Sequence, residues 1–226
     1  RQTYDIGFII APIFNAAGRL EDAKRAVELF IEKDHRVCSE IINELLNNNT
    51  ERKEIQEMIL ERALFKIENE KLFEDSVLVV AEEGFHHGVI GIVASKILDR
   101  YYKPTIIMEI KAEEGIATAS CRSIEGFNMI EALNTMKELF VKYGGHAGAA
   151  GFSIKIENIN EFSKRINEYA KENIPESSLI KPVKLDITIP AYKISYDFID
   201  KISLLEPFGF GNPSPLFALN NCEISG

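Results

Sequence analysis

Apolar residues change period several times along the chain, and each change marks an element. The first run, Phe8-Ile9-Ile10-Ala11-Pro12-Ile13-Phe14, is short and continuous, the pattern of a strand, and it ends at Asn15-Ala16-Ala17-Gly18-Arg19-Leu20. Glu21 and Asp22 then open an amphipathic helix with Ala23, Val27, Phe30 and Ile31 on one face and the acids at its positive end. From about Asp34 to Phe73 the spacing stays helical through Val37, Ile41, Leu45, Ile55, Met58, Ile59 and Ile67. Asn47-Asn48-Asn49-Thr50 interrupts it and offers caps. The pattern predicts two helices or one kinked helix, a solvated connector between domains.

A new domain starts at Ser76-Val77-Leu78-Val79-Val80-Ala81, apolar enough for a strand buried on both faces. Phe85-His86-His87-Gly88 leads into a helix with Ile90, Val93, Ile97, Leu98 and Tyr101 on its buried face. Strands over Thr105 to Ile110 and Ile116 to Ser120, joined by the acidic turn Lys111-Ala112-Glu113-Glu114-Gly115, form a hairpin. Gly126-Phe127 precedes a helix capped by Asn128, with Glu131 placed as in a capping box and Met129, Leu133, Met136 and Phe140 facing inward. After Gly144 to Gly151 come a strand, Phe152 to Ile156, and a closing helix marked by Phe162, Ile166, Tyr169 and Ala170. Pro175 and Ser177-Ser178 set a boundary between Asn173 and Pro182. Beyond it the pattern predicts a strand (Val183 to Ile189), a short helix (about Tyr196 to Leu204) and a last strand (Leu216 to Ile224). These are too few elements for an independent sheet domain and read as the beginning of one.

Composition narrows the class. With 46% apolar and 27% charged residues the chain reads as soluble and globular, and no apolar run approaches the roughly 18 residues that span a membrane. Cys38, Cys121 and Cys222 are odd in number, far apart and in no metal-like spacing, which implies a reduced, cytoplasmic setting. The chain opens Arg1-Gln2-Thr3 without an initiator Met or a signal-like segment, and reads as a piece of a longer protein. A net charge of −9 argues against nonspecific nucleic-acid binding by the body of the protein. Any such binding must rest on a few placed residues.

Four stretches carry candidate chemistry. In Gly144-Gly145-His146-Ala147-Gly148-Ala149-Ala150-Gly151 the only side chain longer than a methyl group is one imidazole. It suits a phosphate cradle built from exposed amides, although the glycines alone favour a tight turn leading into a close-packed strand. Arg19 stands among small residues, free to reach a phosphate with its planar fork or to pair with Glu21 or Asp22. His86 and His87 precede a helix N-terminus, where anions bind; adjacent side chains point apart and lack a carboxylate at ligand spacing, so no metal is expected there. His86 is the one expected to face a ligand, with His87 solvated. Ala119-Ser120-Cys121-Arg122-Ser123 again sets an Arg among small residues.

Taken together, Phe85 to Ser95, Ser120 to Ser123, Gly144 to Gly151 and Glu206-Pro207-Phe208-Gly209-Phe210-Gly211-Asn212-Pro213, with Asn15-Ala16-Ala17-Gly18-Arg19 upstream, resemble the RecJ family of the DHH phosphoesterase superfamily. The resemblance covers essentially the whole chain. It implies an α/β fold: the C-terminal end of a DHH catalytic domain (1–33), connecting helices (34–72), a mixed-sheet DHH-associated substrate-binding domain (73–174) and the start of an OB-like oligonucleotide-binding fold (181–226). It further implies a metal-dependent exonuclease that acts on single-stranded DNA 5′→3′ and releases 5′-mononucleotides in repair and recombination. Mn²⁺ or Mg²⁺ would sit on an upstream domain, with none in this segment, which alone would be inactive. His146 would stand beside the scissile phosphate as the catalytic residue. Arg19 and Arg122 would contact phosphates or the 5′ end, with Ser123, Gly144 and Gly145 beside them and His86 in a lesser role. Single-stranded DNA is the implied partner, with a helicase and a single-strand-binding protein as further ones. The chain departs from the family pattern at Ile13 (commonly Arg), Phe85 (commonly Trp) and Cys121 (usually Gly, which bears on close backbone approach). Two other classes share part of the pattern: superfamily enzymes acting on short oligonucleotides or cyclic dinucleotides, and a non-catalytic nucleic-acid-binding relative.

Overall fold

The computed structural model describes residues 3–20, 22–220 and 222. The chain divides into two compact units, one formed by Ala16–Lys181 and the other by the first 15 residues with Pro182–Gly226.

The N-terminal apolar run is helical, not a strand. A wide turn over Asp5–Ile10 continues into α1 (Ala11–Leu20). A seven-residue apolar run has no period that separates strand from helix, and Pro12, in the first turn of α1, is tolerated there. Helix α2 (Lys24–Ile31) starts where Asp22 Oδ1 accepts from the Lys24 amide at 2.9 Å; Glu21 lies outside the described residues. The predicted inward face is reversed. Ala26 is buried, whereas Val27, Phe30 and Ile31 are exposed. On the Ala26 side Arg25 donates from Nε and Nη2 to Glu44 Oε2 at 2.9 and 2.8 Å, an ion pair between α2 and the next helix.

That next helix, α3 (His35–Asn69), runs unbroken for 35 residues. The predicted interruption is absent because the polar residues are used inside the helix. Thr50 Oγ1 donates to Leu46 O at 3.0 Å, and Asn48 and Asn49 are buried. Nor is α3 a solvated connector along its whole length. Ile59, Ala63 and Ile67 are fully buried, each large one contributing about 1.5–3 kcal/mol. This outweighs the exposed ion pair Lys96–Glu57, since such pairs contribute about 0–1 kcal/mol.

The sheet follows as β1 (Leu78–Glu83), helix α4 (His87–Tyr101), β2 (Thr105–Lys111), β3 (Ile116–Arg122), helix α5 (Met129–Asn134), β4 (Phe140–His146), β5 (Ala149–Lys155) and helix α6 (Ile159–Asn173). The spatial order is β1-β2-β3-β5-β4. β1 and β2 are parallel, joined by the α4 crossover, and the other pairs are antiparallel. On one face α3 and α4 close a core with Leu78, Val80 and Ile107; on the other, α5 and α6 close one with Ile106, Met108, Ala119, Cys121 and Phe152. This two-sided cover explains the near-continuous apolar run of β1. Asn128 caps α5 as expected, but α5 ends at Asn134, where Thr135 Oγ1 donates to Ala132 O at 2.7 Å. Met136 is therefore buried from a turn, and Phe140 opens β4 and packs on Phe152 and Phe162.

In the other unit, β6 (Ile187–Thr188) and β7 (Phe217–Ala218) pair in parallel, with α7 (Tyr196–Ser203) between them in sequence. Both strands are shorter than predicted, and the predicted end of the last strand at residues 221 and 223–224 lies outside the described residues. Ser195 Oγ caps α7 by accepting from the Phe198 amide at 3.2 Å.

One buried side chain ties α6 to the sheet. Asn167 Oδ1 accepts from the Val77 amide at 2.8 Å, and its Nδ2 donates to Val77 O at 3.2 Å. Asn167→Ala is expected to strand both backbone groups and lower unfolding stability by about 2–3 kcal/mol, read from urea denaturation. Unchanged stability would show that water replaces both bonds.

Candidate functional site

The site is built on the first two turns of α4. His86 is the N-cap: its Nδ1 accepts from the Gly88 amide at 3.2 Å, which leaves the ring proton of the neutral imidazole at Nε2. His86 and His87 do not point apart. Their rings stack at 5.0 Å with 16° between planes, and His87 Nδ1 lies 3.6 Å from Glu109 Oε2.

Arg19, at the end of α1, reaches this helix start and donates from Nη1 to Gly88 O at 3.0 Å. The approach requires a glycine, since a Cβ at residue 88 would lie 2.1 Å from Arg19 O. Asp22 is engaged with the Lys24 amide rather than with Arg19.

Arg122, at the end of β3, lies across the next turn. Its Nε donates to Ser95 Oγ at 3.1 Å, and its Nη1 donates to Ser120 Oγ at 3.2 Å and Cys121 O at 2.8 Å. A Cβ at Gly91 would stand 2.9 Å from Arg122 Nη2 and 3.0 Å from Ser120 Oγ. Burial, with the like charge of Arg19 added, pulls the Arg122 guanidinium below its ordinary range, although an arginine stays charged. Nη2 takes no part in these bonds. Cys121 points to the opposite face, into the core with α5 and α6, where burial pushes its thiol up. Its side chain is therefore no obstacle on the Arg122 face.

The glycine-rich stretch is a hairpin: β4 and β5 meet at a two-residue turn, Ala147-Gly148. Gly144 pairs with Gly151 and Gly145 with Ala150, so these glycines serve the ladder. At Gly145, with φ 144°, a Cβ would lie 2.5 Å from Ala149 O. The turn holds His146, whose Nδ1 accepts from the Gly148 amide at 3.2 Å and whose Nε2 is left outward on an exposed ring. His146 stands opposite Ala149, which stands opposite Arg122. The three share one sheet face, with His146 and Arg122 two strand spacings apart, roughly 10 Å. Ser123 is turned into the adjoining loop, its Oγ donating to Phe127 O at 2.7 Å and its amide to Gly148 O at 2.9 Å.

The structure thus brings together Arg19, His86 and Arg122 on α4 and sets His146 beside them on the sheet. Gly144 and Gly145 lie in the strand ladder and Ser123 in the loop. Sequence reasoning passed over Gly88, Gly91 and Ser95 as the α4 positions that Arg19 and Arg122 approach. The available signal was their recurrence as small residues along one face of an otherwise apolar helix.

A layered α/β domain with its cationic site at a helix start defines the class: residues 74–172 match the DHHA1 domain, and residues 185–226 match the RecJ OB domain. The single-stranded-DNA-specific exonuclease RecJ of Bacillus subtilis is 36% identical over 97% of this chain and 28% of its own length. RecJ of Thermus thermophilus is 33% identical over 95% of the chain and 30% of its own length, and that of Escherichia coli 32% over 94% and 38%. The crystal structure of the Thermus protein with Mn²⁺ superposes with a TM-score of 0.84 at 32% identity, covering 96% of this chain and 32% of that one. The chain belongs to the RecJ family. It spans between 28% and 38% of the length of these three relatives.

Structures of the Thermus relative contain Mg²⁺ or Mn²⁺. Among the described residues of this chain no three His, Cys, Asp or Glu side chains converge as a metal site requires. No described helix is long and apolar enough to cross a membrane.

The two glycines of α4 are expected to respond differently to alanine. At Gly88 the Cβ meets backbone, so Gly88→Ala should lower stability by about 1–3 kcal/mol. At Gly91 it meets side-chain tips, so Gly91→Ala should keep or raise the melting temperature while displacing the Arg122 guanidinium. Hydrogen exchange at Arg122 Nε, followed by NMR, would report that displacement as faster exchange.

Proposed function

We propose that this chain is the substrate-binding half of a RecJ-type exonuclease that hydrolyses single-stranded DNA 5′→3′ to 5′-mononucleotides in repair and recombination. The observation that carries the reading is the approach of Arg19 to the first turn of α4 and of Arg122 to Gly91 and Ser95 on the same helix, with the outward Nε2 of His146 on the Arg122 face of the sheet. The two guanidiniums suit phosphate oxygens near the 5′ end, Arg19 donating from Nε and Nη2 and Arg122 from Nη2. His146 donates from Nε2 to an oxygen of the scissile phosphate as charge develops on it. His86, with its own Nε2–H at the helix start, adds a weaker donor, and Ser123, Gly144 and Gly145 shape the adjoining turn and strand.

In this reading residues 1–33 are the end of a DHH catalytic domain, 34–72 connect it to the DHHA1 domain of about 73–174, and residues from 181 onward begin an OB fold that grips the strand further along. That the relatives named RecJ are single-strand-specific supports a long strand as substrate, and the RecJ OB domain match favours it over a cyclic dinucleotide. Mn²⁺ or Mg²⁺ serves the reaction, and no residue of this chain is assigned to it. Single-stranded DNA is the primary partner; a helicase and a single-strand-binding protein are further ones, in the cytoplasm.

Because the body is acidic, binding depends on few phosphate contacts and should show a shallow salt slope of about −2 in log K against log salt, as expected for two or three contacts. The test is a low-salt titration of the chain with single-stranded DNA, with and without a 5′-phosphate. Arg122→Ala should weaken binding of the 5′-phosphorylated strand about tenfold or more, and His146→Ala less. The chain alone should bind without cleaving. Equal affinity for both strands, unaltered by Arg122→Ala, would refute the phosphate reading.

A further inference from the structure

The sheet face that carries Arg122 and His146 is covered by α4 over β2 and β3, while on β4 Lys142, Gly144 and His146 are all exposed. Two residues along the strands from the row of Arg122, Ala149 and His146 comes the row of Ser120, Gly151 and Gly144, and two further on the row of Thr118, Ser153 and Lys142. Each step is roughly 7 Å, so the outer row stands roughly 13 Å from the first. A shallow cavity of about 330 Å³ lies on this part of the face, with Thr118, Lys142, Gly144, Gly151 and Ser153 in its lining. Gly144 and Gly151 give it a floor without side chains, and a Cβ at Gly144 would meet nothing within 4 Å. The outer row is built from donors without partners. Ser153 is 3% exposed, yet among the described residues no hydrogen bond engages its hydroxyl or that of Thr118, and Lys142 is in no ion pair. Facing side chains on paired strands stand about 5 Å apart, so two hydroxyls and an ammonium line up along one edge of the cavity. A hydroxyl withdrawn from water and left unbonded is unfavourable until a ligand supplies the bond.

We propose that this cavity is a subsite for the nucleobase of the nucleotide whose phosphates face Arg122 and His146, with Lys142, Ser153 and Thr118 bonding its edge. The inference rests on the reading of Arg122 and His146 as phosphate ligands. A planar, neutral base lies flat on the two glycines, where a side chain would hold it off. Lys142 donates to it, and the two hydroxyls donate or accept as they rotate. Every base presents an acceptor on its edge, so the subsite takes any of the four, as an exonuclease that removes nucleotides in succession requires. The charge pattern favours a base over a second phosphate. Opposite Thr118, on β2, stands Glu109, whose carboxylate sets the far end of the row against an anion.

The test uses 5′-phosphorylated oligodeoxythymidylates of one length whose first nucleotide either carries thymine or is abasic, titrated into the chain at low salt. The wild type should bind the thymine strand about tenfold more tightly than the abasic one. Lys142→Met should lower affinity for the thymine strand about threefold and leave the abasic strand unchanged. Gly144→Val, which fills the cavity from an exposed strand, should bring the two strands to equal affinity, and thermal melts of both variants report folding. Equal binding of the two strands by the wild type would overturn the proposal. So would a loss that Lys142→Met imposes on both strands alike, which would make Lys142 a phosphate contact. Arg122→Ala separates the two levels. If it weakens both strands while the wild type does not distinguish them, only the base subsite fails; if it changes neither, the phosphate reading fails and the subsite with it.

Discussion

Close approach to one helix governs the chemistry of this chain. Gly88, Gly91 and Ser95 run along a single face of α4, and there the helix offers neighbours its backbone and one hydroxyl. Arg19 is therefore able to set its own backbone against the first turn, and Arg122 to lie across the second with its Nε fixed by Ser95. The positive end of the helix dipole adds to the Arg19 guanidinium at the first turn. A methyl group at either glycine alters this arrangement, one through the backbone and the other through side-chain tips.

Much of the central domain was legible because its elements are repetitive and buried. The β1 run, the β2–β3 hairpin, the Asn128 cap and the α6 face all read from period and turn chemistry. The failures share a cause: local patterns were judged without their partners. The Phe8 to Phe14 run is apolar in either conformation, so only its continuity with α1 makes it helical. Asn47 to Thr50 look like caps, yet buried side-chain contacts absorb Asn49 and a helical carbonyl absorbs Thr50. On α2 Ala26 faces inward beside the Arg25–Glu44 pair, whose members lie 19 residues apart, a contact that no short-range period encodes.

The site was half legible for a similar reason. The sequence pointed to Arg19, His86, Arg122 and His146 as unusual residues among small ones, and the resemblance to a family ordered them. What remained hidden was their spacing, because Arg19 meets Gly88 across 69 residues of chain and His146 meets the Arg122 face only through the β3–β5–β4 register. Of the glycines around His146, Gly144, Gly145 and Gly151 proved to be strand residues, and at Gly145 the lack of a side chain lets β4 and β5 pair closely.

The uninterrupted course of α3 has a mechanical meaning. At 1.5 Å per residue its 35 residues span roughly 50 Å, and one half is locked into the DHHA1 core through Ile59, Ala63 and Ile67. With no break at Asn47 to Thr50, the helix has no hinge of its own, and its outer half follows the sheet as a lever arm. A tilt of about 5° at the buried end would carry the opposite tip by roughly 4 Å, the scale of a nucleotide step rather than of thermal jitter.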